Sequence, residues 1–97
     1  MSKVLEQEVS VDYPQEGEKI THPQYTMRVG AADVQKVVVS IDDSPWQPCR
    51  QAGGFWWYDW SNFMSGRHEV EVKALTKDGR TMTSEVRRFK VELDRAL

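Results

Sequence analysis

The chain has 97 residues, with 13 Lys and Arg against 15 Asp and Glu and a formal net charge of −2. That length predicts a single domain, 1–97, with one core over about 7–93, and the near balance of charge excludes the concentrated basic surface that nucleic-acid phosphate demands. A lone cysteine, Cys49, excludes an internal disulfide and any cysteine-rich metal site.

The N-terminal stretch MSKVLEQEVSVDYPQEGEK is polar and acidic. It lacks the apolar run of a secretory signal, and nowhere does the chain hold about 18 apolar residues in succession, so no membrane partner is expected. With Met1 as the natural start, the expected location is cytoplasmic. Further along, apolar residues recur at every second position rather than with a helical period. QYTMRV sets Tyr25, Met27 and Val29 against Thr26 and Arg28. VQKVVVSI sets Val37, Val39 and Ile41 against Lys36, Val38 and Ser40, and HEVEVKAL sets Val70, Val72 and Ala74 against Glu69, Glu71 and Lys73. Such alternation marks antiparallel strands with one face in water. Turn residues punctuate them at Pro14 to Gly17, Gly30 to Asp33, Asp42 to Pro45, Ser65-Gly66 and Asp78-Gly79. About seven short antiparallel strands at this spacing predict an all-β sandwich.

Trp46, in DDSPWQP, follows the Asp42-Asp43 turn and is expected in the core. Pro48 predicts a short edge strand, because proline cannot donate to a central ladder. The densest apolar stretch is GGFWWYDW, Gly53 to Trp60, with five aromatic rings. In an extended segment Trp56, Tyr58 and Trp60 share one face, and Phe55, Trp57 and Asp59 the other. Burying Asp59 without a partner is costly, so the first set is expected inside and Trp57 at least partly at the surface. Phe55, Trp57 and Asp59, with the outward Val38 and Leu75, are the candidate binding residues, since exposed apolar patches on small domains mark contacts.

The last hairpin can be registered from its pattern. A two-residue Asp78-Gly79 loop would set Val72 opposite Glu85. A three-residue loop, Lys77-Asp78-Gly79, pairs Thr76 with Arg80, Ala74 with Met82, Val72 with Ser84 and Val70 with Val86, which keeps the apolar set together. Downstream, the even-numbered Met82 and Val86 give way to odd-numbered Phe89, Val91 and Leu93. A strand changes faces only with an extra residue, so the expectation at Arg87-Arg88 is a bulge, or a strand that leaves one sheet there. Arg87, Arg88 and Lys90 are expected to pair across the strands with Glu69 and Glu71.

No pattern for chemistry emerges. His68 opens a strand on the core-facing register and reads as a packed, hydrogen-bonded side chain, and His22 before Pro23 reads as a loop residue. Two histidines and one cysteine at scattered positions do not make a metal set. Cys49 in QPCRQ has no recognisable base beside it and reads as a reduced thiol at a strand end. Asp42 and Asp43 read as turn residues. Neither a cofactor nor catalysis is expected.

The segments ITHPQYTMRVGAADVQKVVVSIDDSPWQPC, FWWYDW and SGRHEVEVKALTKDG together resemble the bacterial immunoglobulin-like domains. They are also similar to the immunoglobulin-like dimerisation domain appended to molybdenum-cofactor oxidoreductases of the sulfite oxidase type. The shared pattern is a hairpin with Val37, Val39, Ser40, Ile41, Asp42 and Trp46, a Trp-rich strand over Trp56 to Trp60, and a strand-turn running from Gly66 and His68 to Asp78 and Gly79. The resemblance spans most of the chain and implies an immunoglobulin-like β-sandwich serving as an accessory module without chemistry of its own. The expected role is therefore a non-enzymatic module for protein–protein contact or self-association, with carbohydrate binding through exposed rings as the alternative.

Overall fold

The computed structural model describes residues 9–93, which are strand, turn and loop without a helix. Ten strands follow in order: β1 (Val9–Tyr13), β2 (Lys19–Ile20), β3 (Gln24–Ala31), β4 (Val34–Ile41), β5 (Gln47–Pro48), β6 (Arg50–Ala52), β7 (Phe55–Ser61), β8 (Gly66–Thr76), β9 (Thr81–Thr83) and β10 (Arg87–Val91). They form a four-stranded sheet in the order β1-β3-β7-β6 and a six-stranded sheet in the order β2-β10-β8-β4-β5, with β9 continuing the β10 side of β8. All pairings are antiparallel except β2 with β10. Neighbours in sequence therefore cross between sheets, β3 to β4 and β7 to β8, which locks the two layers into an immunoglobulin-like sandwich.

The period-two pattern does what it predicts. Met27 and Val29 of β3 face Val37, Val39, Val70 and Val72 of the other sheet, and all six are 0–1% exposed. Ile20, Ile41, Phe89 and Val91 close the interior. Trp56 is buried, while Tyr58 and Trp60 pack against the core from the same strand face. Each fully buried side chain of this size contributes about 1.5–3 kcal/mol, and together they offset the backbone entropy lost on folding.

The β8–β9 loop has three residues. Thr76 N donates to Arg80 O at 2.7 Å, Ala74 pairs with Met82, and Ser84 N donates to Val72 O at 2.8 Å. Gly79 sits at φ 94°, a conformation that makes glycine the fitting residue there. Beyond it the structure corrects the expected bulge. Val70 meets Arg87, not Val86, and Arg87 and Arg88 are regularly paired. The extra residue lies earlier, within Ser84 to Val86. Its cause is local: Ser84 Oγ accepts from Val72 N at 3.0 Å, so the side chain satisfies the ladder where the strand leaves it.

Two other expectations are corrected. Trp46 is 38% exposed rather than in the core. Val39 pairs with Gln47 and Val38 with Pro48, which sets Trp46 across from Ser40 on the outward side of the sheet. Of the basic residues of β10, Arg88 does stand opposite Glu69, though without an ion pair, and the other two take other partners. Arg87 reaches Glu16 at 3.6 Å and Pro14 O at 3.0 Å, and Lys90 pairs with Glu92 at 3.3 Å. Neither Glu69 nor Glu71 makes an ion pair among the described residues. Pro48 does lie on an edge strand, as expected.

Candidate functional site

Because β7 turns Trp56, Tyr58 and Trp60 inward, it must turn Phe55, Trp57 and Asp59 outward, onto the four-stranded sheet. The register supplies their neighbours. Trp57 stands opposite Arg28 on β3 and Arg50 on β6, and Arg28 stands opposite Tyr13 on β1. The Arg28 guanidinium carbon lies 4.9 Å from the Tyr13 ring centre and 4.2 Å from that of Phe55. Its Nε donates to Asp12 Oδ2 at 3.1 Å. The cation is thus held between two rings and tied at one edge, an arrangement in which each cation–π contact is worth about 0.5–1 kcal/mol near the surface.

Gly30 eases this packing. A Cβ there would come within 3.1 Å of Ser10 Oγ and 3.4 Å of Asp12 Oδ2, so the Ser10 side chain would have to give by a few tenths of an ångström. Phe55 and Trp57 meet edge to face, with ring centres 6.0 Å apart and planes at 71°. Trp57 is half-buried, and its Nε1 donates to Ala52 O at 2.9 Å, so the ring both covers the β6–β7 hairpin and keeps one side exposed. Asp59 accepts from Arg50 Nη2 at 3.1 Å and Thr26 Oγ1 at 2.9 Å. Those donors, Arg50 first, hold its carboxyl below the usual range.

Val38 and Leu75 are not part of this surface. They are half-buried on the outer face of the six-stranded sheet, on the opposite side of the sandwich. The expected set of five therefore divides into three and two. Sequence reasoning missed Tyr13, Arg28 and Arg50 on the first face and Trp46 on the second. The alternation of QYTMRV already placed Arg28 outward. Only the pairing of β3 with β7 could show that it meets Phe55 and Trp57.

Groups able to do chemistry are engaged elsewhere. His68 Nδ1 lies 2.6 Å from Asp42 Oδ2 and its Nε2 2.8 Å from Met64 O, so both nitrogens are committed to the fold. The ring meets Trp60 edge to face at 5.2 Å and lies nearly parallel to Phe89. Beside it a cleft of about 410 Å³ opens between the sheets, lined by Tyr58, Trp60, Phe63 and Met64. Burial pushes the Cys49 thiol up to about 11, away from the thiolate a nucleophile requires. Among the described residues no cluster of His, Cys, Asp and Glu is placed to hold a metal ion.

No protein-family model matches the chain, and no curated protein sequence does. Solved structures match over nearly its whole length. The fibronectin(III)-like modules of Clostridium thermocellum CbhA superpose with a TM-score of 0.74 at 19% identity, over 92% of this chain and 99% of theirs. CopC from Methylosinus trichosporium OB3b gives 0.72 at 15%, over 95% and 99%. A modular endo-β-1,4-mannanase from Cellulomonas fimi gives 0.71 at 23%, over 90% of this chain and 19% of the mannanase. This chain spans about a fifth of that enzyme, and of an engineered protein it also matches. At such identities the likeness shows the fold. The class is a small immunoglobulin- or fibronectin-like β-sandwich.

Proposed function

We propose that this domain is a non-catalytic module that contacts another protein through the outer face of its four-stranded sheet. The observation that carries the reading is Arg28 clamped between Tyr13 and Phe55 beside Trp57. Tyr, Trp and Arg are the residues that dominate binding energy at protein interfaces. Here they are held in place before any partner arrives, which lowers the ordering cost of association. Arg28 and Arg50 each face a carboxylate, Asp12 and Asp59, which leaves little net charge to attract phosphate. The narrower likeness, to the domain appended to sulfite-oxidase-type enzymes, belongs with this proposal, since such domains also carry no chemistry of their own.

Carbohydrate binding is the second reading, supported by the fold shared with a module of a mannanase. Ring geometry counts against it. A sugar stacks on flat, exposed rings, whereas Phe55 and Trp57 stand at 71° and Trp60 and Phe63 stack on each other at 3.9 Å.

The test compares wild type with Trp57→Ala and Arg28→Ala in capture of a partner from cell extract, followed by binding to the isolated partner. Each substitution is expected to weaken that binding by about 2 kcal/mol, some thirtyfold, while the domain still melts cooperatively, about 5–10 °C lower. Binding that ignores both substitutions would overturn the proposal. A saturable tryptophan-fluorescence response to a glycan panel would establish the second reading instead.

A further inference from the structure

Strand β7 is paired unequally on its two sides. Along β3 its register is unbroken from Trp56 to Ser61. Along β6 it is paired only from Phe55 to Trp57, because the chain crosses from the other sheet at Cys49, whose N–H donates to Val37 O at 2.8 Å. Tyr58 to Ser61 therefore have a neighbouring strand on one side alone. Alternate residues of a strand turn N–H and C=O to opposite sides, so two of these four point their backbone groups away from β3. Among the described residues nothing bonds to them. Free edges are ordinarily blunted by lysine, proline or a bulge, and Tyr58-Asp59-Trp60-Ser61 has none of the three. Space is open on both sides of this edge. Inward lies the cleft of about 410 Å³, walled by Tyr58, Trp60 and Phe63 on one sheet and by Ile41 and Gln47 on the other. Outward, a hollow of about 320 Å³ lies over Cys49, Arg50 and Asp59, where β6 begins.

We infer that this edge takes up an extended peptide segment of a partner protein, which adds to β7 as a strand on the line of β6 beyond Arg50. The row of unpaired donors and acceptors selects the occupant, since such a row at strand spacing is satisfied together only by another extended main chain. The cleft selects its side chains. Residues opposite Tyr58 and Trp60 turn inward with them, among the rings of Trp60 and Phe63, and are apolar. The residue between them, opposite Asp59, stays at the surface and is polar. Asp59 is already bonded to Arg50 and Thr26, so that position meets no unpaired charge. The contact runs for about four residues, roughly 13 Å of strand. This edge is separate from the Tyr13, Arg28 and Phe55 cluster of the proposed partner contact, and either can fail without the other.

A phage-displayed library of short random peptides, selected on the full chain, supplies the probe. Enriched sequences are expected to alternate apolar and polar residues over about four positions. A synthetic peptide of that sequence, at saturation, is expected to slow amide hydrogen exchange about tenfold or more at two alternate residues within Tyr58 to Ser61. N-methylating its alternate backbone nitrogens in one phase is expected to weaken binding about tenfold or more, and in the other phase to leave it within about twofold. That contrast leaves the protein unaltered, so misfolding cannot produce it. Gln47→Trp, which fills the cleft from β5, is expected to weaken the peptide about tenfold, and Arg28→Ala to change it less than about twofold, with melts confirming that both fold. A selection that enriches no alternating sequence overturns the inference. So does binding indifferent to the phase of N-methylation, or protection that falls outside Tyr58 to Ser61. Protection of this edge by raising the concentration of the chain alone would overturn it too, in favour of a second copy.

Discussion

Trp56 and Trp60 lie on the same side of one strand, yet their indoles meet different surroundings. Trp56 is buried, and its Nε1 has no hydrogen-bond partner among the described residues; an unpaired buried donor costs about 1–3 kcal/mol. Trp60 is stacked on Phe63 and meets His68 and Phe89 edge to face. In urea denaturation, Trp56→Phe is therefore expected to stay within about 1 kcal/mol of wild type, because the lost apolar volume is offset by the removed N–H. Trp60→Ala is expected to cost about 3–5 kcal/mol, a large share of the stability of so small a domain. Cys49 gives a pH prediction. Burial raises its thiol from 9.0 to about 11, so the unfolded chain releases that proton first as pH rises. The stability owed to the protonated thiol is complete below pH 9 and disappears between about pH 9 and 11. Alkylation at pH 8 should run about a hundredfold slower than for an exposed cysteine, and Cys49→Ala should flatten the alkaline loss in melting temperature.

Between elements, the decisive local event is the extra residue within Ser84 to Val86. It lets the even-numbered Met82 and the odd-numbered Phe89 and Val91 all face the core, although all three belong to strands pairing with one side of β8. Deleting Glu85 would bring β9 and β10 into one regular register, with Phe89 still opposite His68 and on the same face as Met82. The deletion variant is therefore expected to keep a cooperative melt, as is Glu85→Ala, and a deletion variant that melts without cooperativity would overturn this placement of the extra residue. The alternation in the sequence showed that such a residue must exist. It did not show where, because the site was chosen by Ser84 Oγ taking the place of a backbone acceptor for Val72 N–H.

On the scale of the whole molecule, the two outward faces lie on sheets whose backbones stack about 10 Å apart with a packed interior between them. Trp46 belongs to one face and Trp57 to the other, and they share no contact partner. Residues so separated act additively. The double variant Trp46→Ala with Trp57→Ala is expected to bind the partner no worse than Trp57→Ala alone, with a coupling below about 0.5 kcal/mol in a double-mutant cycle of partner binding. A larger coupling would mean that the two faces communicate through the sandwich.

What the amino-acid order settled by itself is whatever depends on near neighbours along the chain. A strand hides alternate side chains whatever it pairs with, so Val37, Val39, Val70 and Val72 were legible as core, and Trp56 as inward with Trp57 left at the surface. The three-residue loop before Arg80 was legible because a shorter one would have opposed Val72 to Glu85. Tertiary structure alone decided which outward residues meet. Phe55 and Trp57 gain Arg28 and Tyr13 only because β7 and β1 flank β3. Val38 and Leu75 are parted from them because β4 and β8 cross to the other sheet, and Trp46 reaches the surface because the β4–β5 register sets it across from Ser40. Alternation specifies one side of a strand or the other. Which strand lies alongside is chosen by how two whole sheets bury their shared interior, and no short stretch of sequence contains that information.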